Sequence, residues 1–119
     1  LINNRKLIVG RMNNDIAGTL QLLQQASNNE AQENIFNIAS HFVAPWARGY
    51  GLAKAMIDKA ENLGKESGAN CIQLDVRETQ DAAIKLFISK GYIQWGTNPN
   101  YAQINGKYIK GLYFYKKLT

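Results

Sequence analysis

Val43-Ala44-Pro45-Trp46-Ala47-Arg48-Gly49-Tyr50-Gly51-Leu52-Ala53 is where the chain passes from one periodicity to another. Before it, Ile35 to Val43 has strand character, and Ala44-Pro45 ends it because proline cannot continue a ladder. After it, Leu52 to Lys65 reads as an amphipathic helix: Leu52, Met56, Ala60 and Leu63 share a face, with Lys54, Asp58, Glu61 and Lys65 largely outside it. A strand thus runs through a glycine-containing turn into a helix. The first-turn amides of a helix lack intrahelical acceptors and lie at the positive end of its dipole, so they suit anionic oxygens. Glycine lets backbone approach a ligand closely, and Arg48 adds a forked cation. One reading of this turn is a diphosphate cradle; the other is a tight turn with close helix–sheet packing.

Working outward, Leu7 to Met12 and Ile16 to Gln25 flank Asn13-Asn14-Asp15 and read as a hairpin, with Ile16, Gly18, Leu20 and Leu22 on one side. Ala26 to Asn34 is polar and amide-rich, a loop. Gly68 closes the first helix, and Cys71 to Val76 is a short, apolar, internal strand. Gln80 to Lys90 is a second helix, with Ala83, Leu86 and Phe87 inward and Gly91 as its C-terminal stop. Tyr92 to Trp95 is a strand. Tyr101 to Ile104 and Lys107 to Leu118 form a hairpin about Asn105-Gly106, a strong type I′ signal. The order β-β-β-α-β-α-β-β is a mixed α/β layer structure. Residues 35–76 form a β-α-β unit that requires parallel neighbours and a right-handed crossover, and the hairpins make the flanks antiparallel.

Length and composition bound the rest. The 119 residues are expected to form one domain, and 45% hydrophobic with 19% charged residues is globular composition. No apolar run approaches the ~18–20 residues of a membrane span, and no secretory pattern opens the chain. One cysteine, Cys71, excludes an intrachain disulfide framework, and with one histidine, His41, no metal centre is expected. A reducing, cytoplasmic setting follows. The net charge is +5, of which Lys107, Lys110, Lys116 and Lys117 supply +4 in a stretch without acids. That end reads as a lysine-protected strand terminus or as an attractor of anions. Arginines interleaved with aromatics along a groove are missing, so no nucleic-acid partner is expected.

Two phosphate-binding motifs do not fit. No Gly-x-x-x-x-Gly-Lys-Ser/Thr run exists. A dinucleotide fingerprint needs a third glycine where Lys54 stands, although Asp75 lies at a tempting distance for a ribose contact.

Arg48-Gly49-Tyr50-Gly51-Leu52-Ala53 instead resembles the Arg/Gln-x-x-Gly-x-Gly/Ala signature of the GNAT superfamily of acetyl-CoA-dependent N-acetyltransferases. The blocks Leu74-Asp75-Val76-Arg77-Glu78, Ala82-Ala83-Ile84-Lys85-Leu86-Phe87 and Lys90-Gly91-Tyr92 resemble that family's fifth strand and following helix, so the likeness runs from about residue 7 to 118. It implies a mixed, mainly antiparallel sheet with a central parallel β-α-β unit and splayed strands, the family's N-terminal strand and helices being missing from a single truncated domain over 1–119. It also implies acetyl-CoA as co-substrate, its diphosphate on Arg48, Gly49, Tyr50, Gly51, Leu52 and Ala53. The pantetheine would pair with the backbone of Phe42 and Val43, with an amide there polarising the thioester carbonyl. Two further coenzyme positions follow. Gln80 stands where the family commonly has asparagine, and Phe87 replaces a tyrosine that often protonates the departing thiolate.

For the acceptor, three candidates arise. His41 alone titrates near neutrality and lies two residues before Val43, so it is a candidate base or a packed strand residue. Asp75 is a second base candidate or a partner for Arg77 or a lysine. Tyr101, with Tyr115, lines an acceptor cleft or fills core, while Trp46 and Trp95 are expected to pack. The segments Gly96 to Ala102 and Tyr113 to Leu118 are similar to GNAT enzymes of the tabtoxin-resistance kind, which implies a small-molecule amine as acceptor, with a protein or peptide amine as the wider class. An exposed edge on the last hairpin points to a homodimer. The competing function is a non-catalytic acyl-CoA-binding module.

Overall fold

Asn13 and Asn14 both adopt left-handed backbone, with φ of 52° and 69°, and between them they turn the chain. This is the two-residue turn whose twist matches the strands it joins. It links β1 (Asn4–Met12) to β2 (Asp15–Gln24). The computed structural model describes residues 4–24 and 33–119. The elements continue with β3 (Ile35–Val43), a 3₁₀ turn (Pro45–Ala47), α1 (Leu52–Glu66), β4 (Cys71–Arg77), α2 (Asp81–Ser89), β5 (Ile93–Ile104) and β6 (Lys107–Lys117). Strands neighbour one another in the order β1-β2-β3-β4-β6-β5, mostly antiparallel with one parallel pair. That is the mixed α/β architecture expected. Most of the loop expected over Ala26–Asn34 lies outside the described residues.

The chain divides into two units, residues 1–72 with 117–119 and residues 73–116. In the first, β1, β2 and β3 form an antiparallel meander. Leu20 and Leu22 of β2 and Phe36 and Ile38 of β3 are buried with Met56, Ile57 and Ala60 of α1. Each of these side chains other than that of Ala60 stabilises the fold by roughly 1.5–3 kcal/mol. The helical face differs in part from the sequence reading. Ile57 and Glu61 are buried, while Leu52 and Leu63 are half-buried.

Two irregularities shape this unit. Gly10 pairs with Gly18 but Arg11 pairs with Ile16, so Ala17 is an extra residue on β2. The bulge reverses the alternation there: Ala17 is buried and Ile16, expected on the same side as Leu20 and Leu22, faces solvent. On β3, pairing passes from Thr19↔Phe42 to Gln21↔Ala39, which leaves one residue more on β3 than on β2. Ser40 takes φ 53° at this point. Beyond the bulge Phe42 is exposed, and the His41 Nε2 atom is buried.

In the second unit β4, β6 and β5 are neighbours in that order. Leu74 and Val76 of β4, Phe87 of α2, Tyr92 and Phe114 of β6 are its buried apolar residues. Asn105 and Gly106, at φ 52° and 78°, make the expected turn between Ile104 and Lys107. The runs read separately at Tyr92–Trp95 and Tyr101–Ile104 are one strand, Ile93–Ile104, interrupted twice in its pairing with β6. Trp95 sits at the first interruption and is 61% exposed, with its ring 5.5 Å from Tyr113; it does not fill the core as expected. Trp46 is also exposed, because only Ala47 of its short 3₁₀ turn is buried.

Candidate functional site

The stretch from Val43 to Ala53 is fastened at its start and open at its end. The Ala44 N–H donates to the carbonyl of Ala17, the bulge residue, at 2.7 Å. Ala17, Ala44 and Ala47 nest together, with Met12, Val43 and Leu52 against them. Small side chains are what allow a turn to lie this close to a strand. The Arg48 Nε then donates back to the Val43 carbonyl at 3.3 Å, which holds the guanidinium beside the end of β3. The Arg48 N–H donates to the Pro45 carbonyl at 3.4 Å, so this amide of the expected cradle has an internal partner.

From Gly49 onward the backbone is different. Gly49 and Gly51 have φ of 86° and 79°, the left-handed region that favours glycine, and a Cβ on either would meet nothing within 4 Å. Glycine is therefore required here by backbone conformation, while the space beside it is open. Gly51 caps α1 without a side-chain hydrogen bond, and the first helical bond runs from the Ala55 N–H to the Gly51 carbonyl. The amides of Leu52, Ala53 and Lys54 thus precede any carbonyl that could serve them within the helix. Arg48, Gly49, Tyr50 and Gly51 are all exposed. The first turn of α1 carries no acidic residue to oppose an anion.

Close packing beneath this turn escaped the sequence reading. A Cβ on Gly18 would lie 2.8 Å from the Phe42 carbonyl oxygen and 2.9 Å from Met56 Cε. One on Gly10 would lie 2.6 Å from Leu52 Cδ1. These two glycines let the start of α1 settle onto β1 and β2. The available signal was glycine interrupting strand patterns, which marks bulges and close approaches.

His41, Phe42 and Val43 follow one another at the end of β3. Burial pushes the His41 imidazole below its ordinary range, so it is neutral near pH 7, but its Nε2 is enclosed. Phe42 turns its ring outward, and the Val43 carbonyl already accepts from Arg48.

The remaining candidates lie in the second unit. Gln80 caps α2, and its Oε1 accepts from the Arg77 N–H at 3.3 Å, closing the turn ahead of the helix. Phe87 is fully buried, its ring edge-on to Tyr92 at 5.2 Å. Asp75 and Tyr101 are brought together: the phenol donates to Asp75 Oδ2. That hydrogen bond, then burial and the Asp75 charge, push the Tyr101 phenol up to about 12. Among the described residues no three His, Cys, Asp or Glu side chains gather as a metal site, and no helix is long and apolar enough to cross a membrane.

Comparison with known proteins shows the family and the fold. The profile of the acetyltransferase (GNAT) family matches residues 1–92. An uncharacterised N-acetyltransferase from the hisH-hisA intergenic region of Azospirillum brasilense is 45% identical over 80 residues. That match covers 67% of this chain and 48% of the relative, so the chain spans about half the length of the curated relative it matches. Among solved structures, an N-acetyltransferase from Staphylococcus aureus superposes with a TM-score of 0.87 at 18% identity, covering 97% of this chain and 68% of the other. A GNAT-family acetyltransferase from Streptococcus pneumoniae gives 0.86 at 20% identity, covering 98% and 68%. A Salmonella typhimurium protein solved with its cofactor acetyl-CoA gives 0.84 at 17% identity, covering 95% and 64%. At such identities the structural likeness is one of fold.

Proposed function

This chain belongs to the GNAT family of acetyltransferases, and we propose that it moves an acetyl group from acetyl-CoA to the primary amine of a small molecule or peptide, directly and within a ternary complex. The observation that carries the reading is the run from Gly49 to Lys54, exposed at Gly49, Tyr50, Gly51 and Lys54 and half-buried at Leu52 and Ala53, with amides ahead of the first helical bond and open space beside both glycines. Such a run fits the oxygens of a diphosphate, and the Arg48 guanidinium, steadied on the Val43 carbonyl, adds charge at its entrance. In this reading residues 48–53 hold the coenzyme diphosphate, and the Phe42–Val43 backbone pairs with the pantetheine amides. A fold relative solved with acetyl-CoA supports the choice of ligand.

The bound thioester supplies an activated acetyl carbon. The neutral acceptor nitrogen forms the C–N bond there, the C–S bond breaks with its electron pair leaving on sulfur, and the proton shed by the nitrogen passes to water and finally to the released thiolate. With an ordinary thiol pKa of about 8.5, that thiolate departs without a dedicated acid. Phe87 has no proton to give and is buried, so the reading assigns it no acid role.

The test is calorimetric titration of coenzyme A. Arg48→Glu removes a charge-assisted donor and adds repulsion, and we expect at least about a tenfold loss of affinity. Unchanged affinity in that variant, or no binding by the unaltered protein, overturns the reading. Saturable release of free thiol from acetyl-CoA on addition of an amine then tests transfer as distinct from binding.

A further inference from the structure

A second constellation lies wholly within residues 73–116, and three features of sequence build it. On β5, Pro99 has no N–H to give, and the Asn98 side chain accepts from the Asn100 N–H at 3.0 Å. Pairing with β6 stops at Asn98↔Gly111 and resumes at Ala102↔Ile109, so Pro99, Asn100 and Tyr101 stand opposite Lys110 alone. This frees Tyr101 from the ladder. Its ring lies over Gly111, where a Cβ would be 2.1 Å from the Tyr101 Cγ. Since β6 separates β5 from β4, the ring crosses a whole strand to bring its hydroxyl to Asp75. Tyr113 stands edge-on to Tyr101 at 6.1 Å, and Trp95 lies 5.5 Å from Tyr113.

The result is an exposed carboxylate at the end of a row of three aromatic rings. A clamp between strands needs only the Tyr101–Asp75 bond. It does not need the carboxylate to be exposed, nor an exposed indole at the far end of the row. A carboxylate beside aromatic rings attracts an organic cation by charge and by the negative ring faces. Arg77, two residues further along β4 and also exposed, acts on the same phenol. Its positive charge acts on that phenol in the opposite sense to the Asp75 charge.

We propose that Asp75, held in place by Tyr101 at the end of the row that runs on through Tyr113 to Trp95, binds the ammonium group of an organic amine whose apolar body lies along the rings. Tyr101 and Gly111 are positioning residues for that carboxylate. The binding stands by itself; identifying this amine as the acetyl acceptor rests on the acetyl-transfer reading above.

The experiment titrates phenethylammonium into the full chain without coenzyme and follows the Trp95 indole N–H resonance, assigned with Trp95→Phe. We expect a saturable shift, and none with 3-phenylpropionate, which has a similar body and the opposite charge. Asp75→Asn should weaken binding at least about tenfold. Tyr101→Phe keeps the ring and loses the hydroxyl; it should weaken binding severalfold while coenzyme A affinity is retained. Equal binding by Asp75→Asn, or equal binding of the carboxylate, overturns the inference and leaves a strand clamp. Lost coenzyme binding with retained amine binding tells against the acetyl-transfer reading instead.

Discussion

Gly18→Ala adds one methyl group at the point where β2, β3 and α1 converge, and its cost follows from two distances. The new Cβ would sit 2.8 Å from the Phe42 carbonyl oxygen and 2.9 Å from Met56 Cε. Ordinary C···O contacts lie near ~3.3–3.6 Å and C···C contacts near ~3.5–4.0 Å, so each neighbour must retreat by about half an ångström or more. Met56 yields readily, since its terminal methyl is at the end of a flexible chain. The Phe42 oxygen is backbone, in the strand that pairs with β2 through Thr19↔Phe42. Overpacking of this kind costs about 1–3 kcal/mol, offset by about 0.5–1 kcal/mol because alanine restricts the unfolded chain more than glycine. The net expectation is about 1–2 kcal/mol of lost stability, a fall in Tm on the order of 4–8 °C. Urea denaturation of Gly18→Ala alone and in a Met56→Ala background separates the two contacts. If the backbone contact dominates, more than half of the penalty persists without Met56. Disappearance of the whole penalty in that background, or no penalty at all, refutes the reasoning.

Gly51 tests the turn by a different route, because its φ of 79° and open surroundings leave only backbone strain. Gly51→Ala should cost about 1–2 kcal/mol and Gly51→Asn clearly less, since asparagine tolerates left-handed backbone; equal denaturation midpoints for the two variants would argue against a left-handed requirement. Burial lowers the His41 pKa below 6.5, so the unfolded chain binds the proton more readily. Its effect is absent above pH 6.5, and stability is lost as pH falls below that value. Melting curves of His41→Gln should show a shallower acid limb than the unaltered protein. At the alkaline end, the Tyr101 phenol is raised to about 12 and its contribution is intact below pH 10 and lost as pH climbs towards 12. Difference absorbance near 295 nm between the unaltered protein and Tyr101→Phe should show one phenol titrating late, and a difference centred at pH 10 would contradict the hydrogen bond to Asp75.

What local chemistry could decide, the sequence decided. Asn13-Asn14 and Asn105-Gly106 turn hairpins because these residues accept left-handed backbone at little cost. Pro45 stops β3, the 3.6-residue period from Leu52 marks α1, and Gly49 and Gly51 announce an open helix start. Those signals lie within a few residues of their effects. Bulges do not, because an extra residue shows only when two strands are set side by side; hence Ile16 lies outside and Ala17 inside. The same limit hid Gly10 and Gly18, whose missing side chains matter to a helix more than thirty residues away. Asp75 and Tyr101 were separate candidates until Gly111, on the strand between theirs, gave the ring a path across. Periodicity is written along one chain, whereas register and close approach are relations between distant segments, and only folding brings those together.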